Sequence, residues 1–229
     1  VLLNKTIITK AARMNGTYFM VKFEDDPALA SVPQLTMEAR IYVNDYQNSS
    51  PFISTIMGLE EHFLLRIGDE TIGKERWQLA GGGYPVSSTD AMPLNRWVHV
   101  AATFDGSRIT LYLYGPMIAY TDAPRGPINL HGIADDRRFC IGTTSNYTGR
   151  TLKGYMSEAR VWTRALTEVE IANNICDVSA DAPGLLAYWK FNSWKDDANK
   201  NIVIDYTGHG YDAVTRSSSI SWMEGVRCP

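Results

Sequence analysis

Four aromatic residues sit in polar, turn-like stretches of the 229-residue chain: Tyr46 beside Asn44 and Asp45, Tyr84 after Gly81-Gly82-Gly83, Tyr147 beside Asn146, and Trp194 between Asn192 and Asp196. A ring displayed on a loop offers a flat apolar face, and neighbouring amides and carboxylates add hydrogen-bond partners, which together match a pyranose. These residue types point to capture of a glycan or polysaccharide, with Tyr46, Tyr84, Tyr147, Trp194 and Asn146 as candidate contacts. Each ring alone also suits a loop anchor packed on the core, since Tyr and Trp bury most of their area.

Catalytic patterns are weaker. Glu158 is the acidic residue that stands out inside a strand, and Arg160 two residues on makes it read as a structural ion pair. Glu60-Glu61-His62 lacks the H-E-x-x-H spacing of a zinc helix, no G-x-S-x-G elbow occurs, and no helix follows Gly81-Gly82-Gly83 to hold a phosphate. Lys plus Arg number 22 against 25 Asp plus Glu, a net charge of −3 with no basic run, so nucleic acid is not an expected partner. The longest apolar runs are strand-length, so no transmembrane helix and no membrane insertion is expected. The chain starts at Val1, consistent with a removed leader or a preceding domain of the same chain.

A sheet scaffold must position these loops. Trp97 to Gly115 reads as two strands closing on Asp105-Gly106. With Phe104 opposite Ser107, Ala102 faces Ile109, Val100 faces Leu111 and Val98 faces Leu113, an apolar face throughout. The other face carries Trp97, His99, Thr103, Arg108, Thr110, Tyr112 and Tyr114, and is expected to meet solvent, a loop or a ligand. Leu35 to Val43 alternates cleanly as a long core strand, and further strands follow at Thr17–Phe23, on both sides of Gly58–Glu61, and at Trp77–Ala80, Phe139–Gly142, Leu152–Leu166, Leu185–Phe191, Ile202–Tyr206 and Ser219–Met223. Thr167-Glu168-Val169-Glu170 is a capping box that starts one short helix, Glu168 to about Asn174. About a dozen short strands and one helix predict an all-β, two-sheet antiparallel β-sandwich over residues 1–229 as a single domain. Cys140 lies in an apolar run and reads as core, whereas Cys176 and Cys228 lie in connecting sequence and pair if the compartment is oxidising.

Three segments resemble the laminin-G-like modules of the concanavalin A-like lectin and glucanase superfamily, which includes the pentraxins. Asn95-Arg96-Trp97-Val98-His99-Val100-Ala101-Ala102-Thr103-Phe104-Asp105-Gly106 is similar to the family's W-x-H-V-A-x-T-F-D-G hairpin. Leu152 to Thr167 resembles its G-x-I-D-E-V-R-I-Y-x-R-A-L strand and helix, with Ser157 in place of the usual Asp. Gly184 to Phe191 and Asp205 to Ala213 resemble its L-V-A-Y-W-x-F and D-x-[ST]-G-N-G pair, here closing the module where many relatives open with it. The resemblance implies a concanavalin A-like jelly roll, an extracellular or outer-membrane lipoprotein setting like that of gut Bacteroidetes surface proteins, and non-catalytic glycan binding. It also implies calcium, with Asp205 as the metal ligand and Asp212, Asp135 and Asp136 as further oxygen donors, although Asp205-x-Thr-Gly equally fits an Asx turn. Protein adhesion and a spacer role are the alternatives. A glycoside hydrolase on this fold needs two carboxylates about 5 Å apart, and its E-x-D-x-x-E signature is missing.

Overall fold

A computed structural model describes residues 8–60, 62–131, 138–144, 147–197, 200–215 and 220–228. The strands of the first half are β1 (Ile8–Arg13), β2 (Phe19–Val21), β3 (Leu35–Val43), β4 (Ser54–Leu59), β5 (Phe63–Asp69), β6 (Gly73–Ala80), β7 (Val86–Ala91), β8 (Trp97–Phe104) and β9 (Arg108–Leu113). The second half holds β10 (Met117–Asp122), β11 (Phe139–Ile141), β12 (Gly154–Trp162), β13 (Leu185–Asp197), β14 (Lys200–Asp205), β15 (Ala213–Thr215) and β16 (Trp222–Arg227). The α-helix α1 (Glu168–Asn173) connects β12 to β13.

Hydrogen bonding runs β10-β9-β8-β3-β12-β13 through one layer and β14-β15-β2-β11-β4-β5-β6-β7 through the other, with β1 beside β12 and β16. The β13–β14 ladder carries the chain between layers, so the two sheets of the sandwich form one continuous hydrogen-bonded path. The layers face each other across a shared core. Met37, Ile41, Val100, Leu111 and Val161 of the first share a buried cluster with Phe19, Met57, Leu65, Trp77 and Ile141 of the second. Burial of each such side chain contributes about 1.5–3 kcal/mol. The fold is thus the antiparallel β-sandwich with one short helix that the strand pattern predicts.

The organising hairpin differs in register. Phe104 pairs with Ile109, Ala102 with Leu111 and Val100 with Leu113. The turn centres on Gly106-Ser107, one residue later than expected, because the Asp105 carboxylate accepts from the Ser107 and Arg108 amides at 2.8 and 2.7 Å. Gly106, with φ at 101°, takes the conformation that a side chain would resist. A one-residue shift of the turn centre moves the pairing by two residues, so every side chain keeps its face.

Of solvent, a loop or a ligand, the second face of this layer meets a later segment of the chain. Thr36, Glu38, Arg40, His99, Thr103, Thr110, Tyr112, Glu158 and Arg160 are buried. The helix α1 and the segment after it lie over them, and Leu166 and Ile171 pack with Ala101, Tyr112, Trp162, Leu185 and Tyr188 in a second cluster. The capping box fixes where that cover begins: Thr167 Oγ1 accepts from the Glu170 amide and the Glu170 side chain accepts from the Thr167 amide, a cap worth about 1 kcal/mol. Cys176 and Cys228 are bonded, with Cα atoms 5.6 Å apart, tying the cover to the chain just beyond β16.

Candidate functional site

Beneath the cover, short-range alternation in β3, β8, β12 and β13 lines up a row of polar side chains. Glu38 Oε2 accepts from Trp162 Nε1 at 2.8 Å and lies 3.6 Å from Arg160 Nη1. Glu38 Oε1 lies 3.4 Å from His99 Nε2. Arg160 also pairs closely with Glu158 and donates to the Asn174 carbonyl at 2.6 Å. The Tyr188 hydroxyl lies 2.9 Å from both Glu158 Oε2 and Asp177 Oδ1, and its single hydrogen serves one of them at a time. Burial alone raises the Glu38 carboxyl, but His99, Arg160 and Trp162 outweigh it and hold the group below its ordinary value. Burial opposes the charge on Arg160, yet Glu158 and Glu38 raise it further, so the guanidinium stays charged. Glu38 and Glu158 are 0% and 2% exposed, out of reach of a polymer substrate, and Glu158 forms the ion pair with Arg160 that its spacing predicts.

The accessible chemistry lies at a loop. Tyr147 is 42% exposed, and the Arg150 guanidinium sits 3.8 Å from its ring centroid. Arg150 is held in turn by Glu60, with Nη1 to Oε1 at 3.2 Å, so the ring is fixed from one side by an ion pair. Beside it is a groove of about 310 Å³ lined by Gly16, Tyr18, Thr143, Thr144, Tyr147, Thr148, Gly149 and Thr151. Its threonine hydroxyls and two phenols each donate and accept, the pairing that sugar hydroxyls require. The Thr144 hydroxyl is buried with no hydrogen-bond partner among the described residues. Thr143, Thr144, Thr148 and Thr151 escape the reading of the sequence, though the run Thr143-Thr144-Ser145-Asn146-Tyr147-Thr148-Gly149-Arg150-Thr151 is visibly dense in hydroxyls.

The other candidates fall elsewhere. Tyr46 is half-buried against the core, and its hydroxyl donates to the Met92 carbonyl, so it anchors its loop. Tyr84 also packs on the core instead of standing at a loop tip. The missing Cβ of Gly82 leaves room for the Arg125 guanidinium, which donates to the His62 carbonyl at 3.2 Å. Neither tyrosine lines the Tyr147 groove. Trp194 is a residue of β13 opposite Val203, not of a loop, because β13 continues to Asp197; its side chain lies outside the described set, as does Asn146.

Asp205 does not fit a calcium ligand. Its Oδ1 accepts from the Tyr188 amide at 3.0 Å, the Thr207 amide at 3.0 Å and the Thr207 hydroxyl at 2.8 Å. Its Oδ2 lies 2.8 Å from the same hydroxyl and 3.2 Å from the Tyr211 amide. This is the Asx turn extended into a buried clamp that joins β13, β14 and the turn after it. No group of three or more metal-ligating side chains gathers among the described residues. Asp135 and Asp136 lie outside them. No helix among the described residues is long and apolar enough to cross a membrane.

A sequence model of the family described as the concanavalin A-like lectin/glucanases superfamily matches residues 15–172. Among solved structures the chain is similar to a candidate carbohydrate binding protein from Bacteroides ovatus ATCC 8483, at 29% identity and a TM-score of 0.82 over 97% of this chain. It spans 62% of that protein's length. A native heptameric SAP-like pentraxin from Limulus polyphemus aligns over 98% of this chain and 91% of its own, with a TM-score of 0.52 and 14% identity. The Ruminococcus gnavus IT-sialidase CBM40 bound to α2,3-sialyllactose aligns over 71% and 95%, with a TM-score of 0.52 and 13% identity. The last two likenesses are of fold alone. No curated protein matches the chain.

Proposed function

Because the chain belongs to the concanavalin A-like lectin/glucanases superfamily, we propose that it is a non-catalytic module that holds a polysaccharide in the Tyr147 groove, within a secreted or cell-surface protein. The observation that carries this reading is an exposed ring, braced by Arg150 and Glu60, beside a hydroxyl-lined groove. A rigid aromatic platform loses little entropy when a sugar ring settles on it. The carbohydrate-binding description of the Bacteroides ovatus relative supports the same ligand class. The burial of Glu38 and Glu158 around Arg160 favours binding over hydrolysis, since a glycosidase must bring two carboxyl groups to the substrate. The Cys176–Cys228 bond supports an exported setting, where such bonds persist.

The test is affinity electrophoresis and calorimetry of the purified protein against host and plant polysaccharides, followed by Tyr147→Ala on any hit. Loss of the ring's contact area and stacking, about 1–2 kcal/mol, corresponds to roughly five- to thirtyfold weaker binding. The melting temperature is expected to stay unchanged, because Tyr147 is exposed. Silence across the panel, or a hit indifferent to Tyr147→Ala, would overturn the reading.

A further inference from the structure

On the covered face, where β3 and β8 run out from under the segment after α1, a cavity of about 350 Å³ is lined by Arg40, Trp97, Val98, His99, Tyr114, Ile175, Arg227 and Cys228. It differs from an ordinary core void in that one of its walls carries a buried charge. Arg40 is 3% exposed, and among the described residues it has no carboxylate within 4.0 Å. One of its terminal nitrogens, Nη2, donates to the Arg227 carbonyl. The other, Nη1, is buried with no hydrogen-bond partner among the described residues. His99 Nδ1 beside it is likewise without a hydrogen-bond partner among the described residues. A buried guanidinium with a free edge is costly unless an acceptor meets it. Glu158, whose field reaches Arg40, is already engaged by Arg160.

The remaining walls specify what that acceptor is attached to. Trp97 is half-buried with the Arg40 guanidinium 5.3 Å from its ring centroid, and Tyr42 packs edge-on at 5.6 Å, so the indole is held in place. The Tyr114 hydroxyl donates to the Trp97 carbonyl, which fixes the second aromatic wall. Arg227, exposed at the rim, adds a second cation. The volume sits at the small end of the roughly 300–1,000 Å³ typical of ligand pockets, enough for a single sugar ring.

We propose that this cavity is a second saccharide site, selective for a pyranose that bears a carboxylate, with Arg40 receiving the carboxylate and Trp97 the ring face. The ligand class rests on the glycan reading above, but the site is separate from the Tyr147 groove and shares no residue with it. Arg40 supplies the charge-assisted hydrogen bonds, which are about twice as strong as neutral ones. Burial lowers the affinity of Arg40 for its proton, and a bound carboxylate restores it. The Cys176–Cys228 bond helps to shape the site, since Cys228 and Ile175 form one of its walls.

The experiment is a proton–nitrogen NMR titration of the labelled protein with D-glucuronate, D-galacturonate, D-glucose and acetate, read at the Trp97 indole and at the backbone amides of Val98 and His99, which line the same cavity and remain as reporters when Trp97 is replaced. The expected result is a saturable shift with either uronate at least about tenfold tighter than with glucose. Trp97→Leu and Arg40→Lys are each expected to weaken the uronate about tenfold or more, while Tyr147→Ala leaves it unchanged. If Arg40→Lys does not fold, the wild-type titration and Trp97→Leu decide. Equal shifts with glucose, or acetate binding as tightly as the uronates, would overturn the proposal. Polysaccharide binding through Tyr147 without any uronate shift at Trp97 would overturn this site and leave the glycan reading standing. Uronate binding at Trp97 with no polysaccharide hit would retain this site and remove the Tyr147 groove.

Discussion

Replacing Cys176 and Cys228 together by Ser removes a cross-link between residues 52 positions apart. In the chain-entropy account, a closed loop of that length constrains the unfolded chain by about 4 kcal/mol at 25 °C. A domain of this size loses roughly 2–4 °C of melting temperature per kcal/mol, so the double variant is expected to melt roughly 8–16 °C below the wild type. Reductant should produce the same fall in the wild type and none in the variant. The bond itself is checked by counting thiols. Denatured, non-reduced protein should show one thiol, Cys140, and reduced protein all three. Native protein should show none, since burial pushes the Cys140 thiol up to about 12. Three thiols before reduction, or a melting temperature indifferent to reductant, would refute the argument. A fall in melting temperature with unchanged uronate binding would show that the bond stabilises the fold without shaping the Arg40 cavity.

Three other outcomes follow from the buried polar groups and the braced ring. The folded-state carboxyl of Glu38 lies below its unfolded value of about 4.3, so its stabilisation is complete above that value and is lost as pH falls through the folded one. Urea midpoints measured between pH 2 and 7 should therefore drop on the acid side, and Glu38→Gln should flatten that limb; parallel curves would exclude the ion-pair account. Asp205→Ala removes the acceptor of the buried Tyr188 amide and the part-buried Thr207 and Tyr211 amides and should destabilise the fold by about 2–4 kcal/mol. That loss should be the same in calcium and in EDTA, and a chelator-dependent loss would return Asp205 to the metal. Arg150→Ala frees the Tyr147 ring and should weaken polysaccharide binding by about three- to tenfold, less than Tyr147→Ala, a difference that calorimetry resolves.

Half of the sandwich is legible in the sequence because alternation reports contact with the common core. Leu35, Met37, Ala39, Ile41 and Val43 all enter it, and the capping box at Thr167 marks the helix. Strands without alternation are missed. In β7, Val86 to Ala91 is mostly Ser, Thr and Asp; β1 is placed by pairing with the distant β12 and β16, and the three-residue β15 by β14 just before it and the distant β2, rather than by any pattern of their own. What the polar rows of β3 and β8 meet stays open in the sequence, because the segment that covers them lies more than sixty residues away from either strand. Polar residues can be predicted on one face, but not the roof above them.

That roof also explains where binding can occur. The β3–β8 ladder pairs Glu38 with Ala101, Arg40 with His99 and Tyr42 with Trp97. Along it, burial gives way to partial exposure: Glu38, Arg40 and His99 are buried, whereas Tyr42 and Trp97 are not fully covered. At the covered end each charge has a protein partner, and Glu38 meets Trp162, Arg160 and His99. At the open end the sequence continues the same polar alternation, but among the described residues Arg40 Nη1 has no hydrogen-bond partner where the cavity begins. A buried network whose charges are paired at one end and unpaired at the other is stable only if the unpaired end costs little or is completed from outside. If Arg40→Met, which removes the free edge but keeps the stem, stabilises the protein against urea while abolishing the uronate shift at Trp97, the open end is maintained for a ligand. If it destabilises the protein and leaves the titration unchanged, Arg40 belongs to the scaffold alone.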